Sequence, residues 1–228
     1  MEFVTFFLKQ HNRMFALLGQ HMAIVALSLS IAACIALPLG YFLSRTRWIS
    51  VAVIGAFSTI YAIPSIALLV LLVPVTGLGM RTAVVVISIY AQFILLRNVV
   101  ISFQTVDPAV LEASRGMGLS ALEILLRIEL PLTAPSLISG FRVATLSSIS
   151  VATIAATINS GGIGILMLEG VRNLHMVKLV WGILLASALS LTANQLLTRA
   201  ETRFSDRARG LDRRKQKNVS QEIYDASL

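Results

Sequence analysis

Long apolar runs separated by short polar intervals constrain this chain more than any other feature. A run of about 21 residues rises about 31 Å at 1.5 Å per residue, which matches the hydrocarbon core of a bilayer. In that core each backbone N–H and C=O must be paired within the protein, so such a run folds as a helix. Five runs qualify, at about 23–43, 49–73, 82–102, 136–158 and 177–197. The second contains Pro64, the third ends near Arg97, and the fourth carries Arg142 in its first two turns. The chain therefore reads as an all-α integral membrane protein with five transmembrane helices. Only 13% of its 228 residues are charged, about half the share in a soluble domain.

Residues 1–20 do not read as a secretory signal. Their apolar stretch is short, Glu2 stands where a basic region belongs, and no small-residue cleavage site follows. Phe3, Phe6, Phe7, Phe15 and Leu18 recur at roughly helical spacing. That pattern fits a helix lying in the membrane interface, and a poorly ordered leader fits nearly as well.

Basic residues set the orientation. With the N-terminus outside and the C-terminus inside, 14 of the 19 Lys and Arg fall on the inner side and five on the outer side. This places the polar segment 107–131, between the third and fourth runs, in the cytoplasm. The net charge of +8 follows from this asymmetry and from a basic tail over 201–228, so no nucleic-acid partner is needed to explain it. The tail's Arg203, Arg207, Arg209, Arg213, Arg214, Lys215 and Lys217 suit a topology anchor on anionic lipid, or a sensor of ionic strength.

Several classes of function lack their chemistry here. All eleven acidic residues lie outside the five runs, so the intramembrane carboxylate of an ion-coupled carrier is missing. No Gly-x-x-x-x-Gly-Lys phosphate loop is present. His11, His21 and His175 flank the runs, and the single cysteine, Cys34, reads as a small buried hydrophobe. An intramembrane enzyme would need a nucleophile–base or metal constellation that these residues do not form. Uphill transport by this chain would draw its energy from another subunit.

The segment 107–131 is the natural place for that energy to enter. Val110, Leu111, Met117, Leu122, Leu125 and Leu126 recur at helix-like intervals, interrupted by Gly116 and Gly118. The reading is two short amphipathic helices joined by a glycine turn, with Asp107 as the first cap and Pro108 at the first helical position. Pro131 and Pro135 are expected to end the segment and turn the chain into the next span.

Glu112, Ala113, Ser114, Gly118, Ile128, Leu130 and Pro131 stand at the positions of a known signature: Glu-Ala-Ala, three residues, Gly, nine residues, Ile, one residue, Leu-Pro. The chain thereby resembles the permease subunits of binding-protein-dependent bacterial ABC importers. Ser114 in place of the second Ala is the one departure, small for small. The resemblance implies the type I importer permease fold in the cell (cytoplasmic) membrane, with a coupling helix docked on a separate ABC ATPase. It implies that Glu112, Ala113, Ser114, Gly116 and Gly118 face that ATPase. ATP and Mg would be bound by the partner, with no cofactor in this chain. An extracytoplasmic solute-binding protein, and a second permease copy or sister permease, complete the implied assembly.

Ile63-Pro64-Ser65, Gly77-Leu78-Gly79, Leu96-Arg97-Asn98, Gly116-Met117-Gly118 and Gly161-Gly162-Ile163-Gly164 resemble the glycine betaine/carnitine/choline permeases in particular. The likeness runs over roughly residues 20–200, and the permease domain is read as 21–200. Permeases for methionine, ergothioneine or another small zwitterion remain the alternative. Cationic solutes are usually held by aromatic faces, yet the spans show no evident Trp and Tyr cluster, so selectivity is assigned to the binding protein. Path or gate candidates are Pro64, Ser148, Thr153, Thr157, Asn159, Gly161 and Gly162. The hydroxyls among them have a plainer alternative, bonding back to their own helix. Arg97 and Arg142 either snorkel to headgroups or brace the loop through Glu112, Glu123 or Glu129.

Overall fold

The computed structural model describes residues 2–225, with side chains described to Asp206. It is helical almost throughout, with no strand among the described residues. α1 spans Glu2–Ser44, α2 Arg47–Tyr61, α3 Ser65–Thr76 and α4 Met80–Gln104. Two short helices follow, α5 at Pro108–Gly116 and α6 at Ala121–Ile124, then a π-helical segment Leu125–Glu129 and α7 at Leu130–Ile154. A 3-10 turn, Ala155–Ile158, leads to α8 at Gly164–Arg172 and α9 at Met176–Asp225.

α4 forms the centre. Fifteen of its 25 residues are buried, because α1, α7, α2 and α3 all pack on it. α1 contacts it most extensively, presenting a stripe at three- and four-residue spacing through Ile24, Ser28, Ala32, Ala36, Gly40 and Leu43. Small residues on this stripe let the backbones approach closely. A Cβ on Gly40 would lie 2.6 Å from Val99 Cγ1, and one on Gly140 of α7 would lie 2.5 Å from Asn98 Cβ.

Four helices, α1, α4, the α6–α7 rod and α9, are each long and apolar enough to cross a membrane. The second run differs from its reading as one span kinked at Pro64. It is a broken pair, with α2 and α3 meeting at 90°. Proline has no N–H to continue the ladder and pushes the residue before it out of the helical region. The Tyr90 hydroxyl donates to the Ile63 carbonyl left open at the break. Tyr61 packs beside it, 5.2 Å from the Tyr90 ring and 4.7 Å from Phe93. The spans thus bring two tyrosines and a phenylalanine together, from the second and third runs.

Other readings are corrected too. Residues 2–20 are neither a separate interfacial helix nor a loose leader; they are the first half of α1. Phe3 and Phe7 stack on Trp181 at 4.4 and 5.0 Å, and Arg13 pairs with Glu169. Pro131 and Pro135 do not stop the helix, which runs from Ala121 through Ile158. Leu130 N–H bonds Leu125 O, an i to i+5 bond. The ladder has therefore already slipped by one residue when it reaches Pro131, which has no N–H to give. Cys34 is exposed on the outside of α1 rather than buried. His21, just before the first run, is fully buried within α1. α9 continues as helix into the basic tail to Asp225, while the side chains from Arg207 onward lie outside the described residues.

Candidate functional site

The polar segment folds locally as two capped helices, and its own residues explain why. The Asp107 carboxylate accepts from Ala109 N–H at 2.9 Å, with Pro108 at the first helical position. At the far end Leu119 N–H reaches Ser114 O and Gly118 N–H reaches Arg115 O, at 3.3 and 2.9 Å. These are the two bonds of a Schellman stop, which needs a left-handed residue; Gly118 supplies it at φ 81°. Ser120 then caps α6 in a reciprocal box with Glu123. The Ser-x-x-Glu pattern of Ser120 and Glu123 was there to be read in the sequence. Glu123 is held below the usual carboxylate range, chiefly by the Ser120 N–H and then by its hydroxyl.

Glu112, Ala113, Arg115, Gly116, Met117 and Gly118 are all exposed, so α5 offers one continuous face to solvent. Ser114 points the other way. It is 2% exposed, and its hydroxyl donates to Val110 O at 2.7 Å. A serine in place of alanine therefore supports α5 from behind instead of meeting a partner. Ile128, Leu130 and Pro131, half-buried, belong to the π segment and the start of α7.

The bracing pairs differ from those expected. Arg142 lies on α7 and donates to Thr198 Oγ1 of α9 at 2.9 Å, with Glu201 at an ion-pair distance of 3.4 Å. It ties two spans together and does not reach the loop. Arg97 is exposed. The cation that does reach the loop is Arg45, just past the end of α1. Its Nη2 donates to both Glu129 oxygens, at 2.7 and 2.6 Å, and its guanidinium lies 4.6 Å over the Tyr41 ring. Arg45 and Glu129 sit at the same membrane end in the five-run reading, and Tyr41 is one helical turn before Arg45. That much was legible.

The gate candidates gather at the opposite end, apart from Pro64. Gly161 and Gly162, at φ 90° and 83°, follow a left-handed Asn159. Gly162 N–H donates to the Gln20 side chain at 3.3 Å, and a Cβ on it would come within 2.9 Å of His21 Nδ1. Gly79 N–H bonds Ile158 O at 2.9 Å. The glycine loop is thus held between α1 and the α3–α4 turn. Ser148 is buried at 2% exposure. Thr153 and Thr157 donate to Ile149 O and Ile154 O of their own helix. Pro64 stands at the first end of α3, whose other end reaches this turn. Among the described residues no cluster of His, Cys, Asp and Glu could hold a metal.

Residues 23–210 match the family described as "Binding-protein-dependent transport system inner membrane component". The chain belongs to this family. Its members are multi-pass cell-membrane transport subunits, not enzymes. Similar proteins include the osmoprotectant import permease OsmW of Salmonella typhimurium, 32% identical across 88% of this chain and 96% of that one. The carnitine transport permease OpuCB of Listeria monocytogenes is 28% identical over 90% and 94%. The choline transport permease OpuBB of Bacillus subtilis is 28% identical over 82% and 86%. Among solved structures, the inward-facing MetNI methionine ABC transporter aligns over 84% of this chain and 95% of its own, with TM-score 0.73 and 20% identity. An amino acid ABC transporter solved with histidines aligns over 89% and 99%, with TM-score 0.71 and 15% identity. These two share the fold. The chain is the permease subunit of an ABC importer.

Proposed function

We propose that this subunit forms the path for a quaternary ammonium compatible solute, glycine betaine, carnitine or choline, and is driven by a separate ABC ATPase. The observation that carries the reading is the exposed face of α5. Its ends are fixed by a cap and a Schellman stop, so Glu112, Ala113 and Gly116 are presented on a preformed helix. A preordered face loses little entropy on docking. The Arg and Lys distribution supports a cytoplasmic position for this end, where closure of two ATPase subunits on ATP and Mg would push on it. The glycine loop then lies outside, where a solute-binding protein would deliver its cargo. A second copy or a sister permease would supply the other wall of the path. The relatives named for osmoprotectant, carnitine and choline transport support the solute class.

The test is uptake of labelled betaine, carnitine and choline into vesicles holding the permease, its ATPase and its binding protein. Glu112→Lys and Gly118→Trp should each abolish ATP-driven uptake, at least tenfold, while the permease still inserts. Normal uptake by both variants would sink the coupling role. Uptake of methionine or ergothioneine alone would sink the solute class.

A further inference from the structure

We infer that the Arg45–Glu129 pair is a positioning latch that carries movement of the coupling segment into α1, and through α1 to the glycine loop. The inference rests on the coupling role proposed for α5. Glu129 is the one acidic residue among those described that is buried, at 1% exposure. A carboxylate so placed is costly unless a cation holds it. Arg45 does so through one nitrogen, Nη2, which donates to both oxygens, a charge-assisted contact. The Tyr41 ring supports the guanidinium from the other side and meets Phe103 of α4 edge-on at 5.1 Å. The guanidinium is therefore tied through Tyr41 to α1 and α4.

On the loop side it grips the last residue of the π segment. A π turn differs from an α turn by one residue of register, so it can relax without breaking the rod. Elements with two discrete registers are what convert a small push into a defined shift. A shift at Leu125–Glu129 moves along the rod into α7, and the Arg45 contact carries it to α1 as well.

α1 stays helical from Gln20 to Ser44, Arg45's neighbour, passing through Pro38, which gives up one ladder bond without ending the helix. From residue 20 to residue 44 it rises about 36 Å at 1.5 Å per residue, roughly one membrane thickness. At its far end Gln20 accepts from Gly162 N–H, and His21 lies against the same glycine. One helix thus touches the coupling segment at one end and the candidate outer gate at the other.

The test uses the full complex with ATPase and binding protein, measuring solute moved per ATP hydrolysed. Glu129 is buried and Arg45 half-exposed; removing both charges together leaves no unpaired buried carboxylate, so R45M/E129L separates folding from coupling. The expected result is an assembled complex that hydrolyses ATP within twofold of the unmodified one but moves at least tenfold less solute per ATP. The charge swap R45E/E129R should recover a substantial part of that loss. Coupling within twofold of normal in R45M/E129L would overturn the latch, as would failure of that variant to assemble, which would assign the pair to folding. Glu112→Lys, run alongside, reports on the coupling role itself: if it transports normally while R45M/E129L is uncoupled, the docking reading of α5 fails and the latch stands.

Discussion

At the scale of single residues, space and charge decide which positions tolerate change. Gly164 opens α8 where a Cβ would fall 2.1 Å from the Thr153 carbonyl oxygen. Backbone cannot swing aside as a flexible side chain does, so Gly164→Ala should cost about 1–3 kcal/mol, the usual range for overpacking. Thermal unfolding in detergent would show it. Gly19 lies on α1 with nothing within 4 Å of its Cβ position, and Gly19→Ala should leave that transition unchanged or raise it. Glu169 gives a pH signature. Arg13, hydrogen-bonded to it, and then Lys178 hold its carboxyl below the ordinary value of 4.5. A depressed folded value means the pairing stabilises in full above the ordinary value and is lost as pH falls through the depressed one. The unmodified protein should therefore lose stability between pH 4.5 and more acid conditions more steeply than Glu169→Gln does. Equal slopes would show that this cluster does not hold α1 to α8.

Among the elements, the broken pair α2–α3 is the part of the bundle with the most open backbone at membrane depth. Its Ile63 carbonyl depends on the Tyr90 hydroxyl. Tyr90→Phe keeps the ring packing with Tyr61 and removes only that bond, so it should cost about 0.5–1.5 kcal/mol, the usual net worth of one hydrogen bond. Loss of folded yield in Tyr90→Phe but not in a conservative change at exposed Val75 would check this. Pro64 was visible in the sequence, yet the size of the bend was not, because it is set by contacts from α4. The caps of α5 were legible, since Asp107, Pro108 and Gly118 act through their own backbone. The π segment was not, because its register follows from how Glu129 is gripped across the bundle. For the same reason Arg142 was paired with the wrong partner: sequence gives membrane depth, while Thr198 and Glu201 come alongside only through the packing of α7 on α9. Ser114 was misjudged because a signature records which residues recur, not which way a side chain faces.

For the whole molecule, burial is uneven in a way that bears on assembly. Half or more of the residues in the most apolar windows of α4 and α7 are covered by the chain itself, against 6% in α9. α2 buries only Ser50, and α3 only Leu68 and Leu69. A single copy therefore presents α2, α3 and α9 to whatever surrounds it, lipid or another subunit. Composition foretold helices and a membrane; how many sides of each helix meet its own chain could come only from the fold. Cys34 turns this into a measurement. It is the chain's single thiol, and it stands on the side of α1 midway along the first run, where lipid or a neighbouring subunit covers it. Leu174→Cys in a Cys34→Ser chain moves that one thiol to the turn between α8 and α9, 90% exposed, and gives each polypeptide one attachment point for a maleimide dye. Photobleaching of individual labelled complexes would then count permease chains directly: two steps for a pair of identical copies, one step where a sister lacking such a thiol fills the second place.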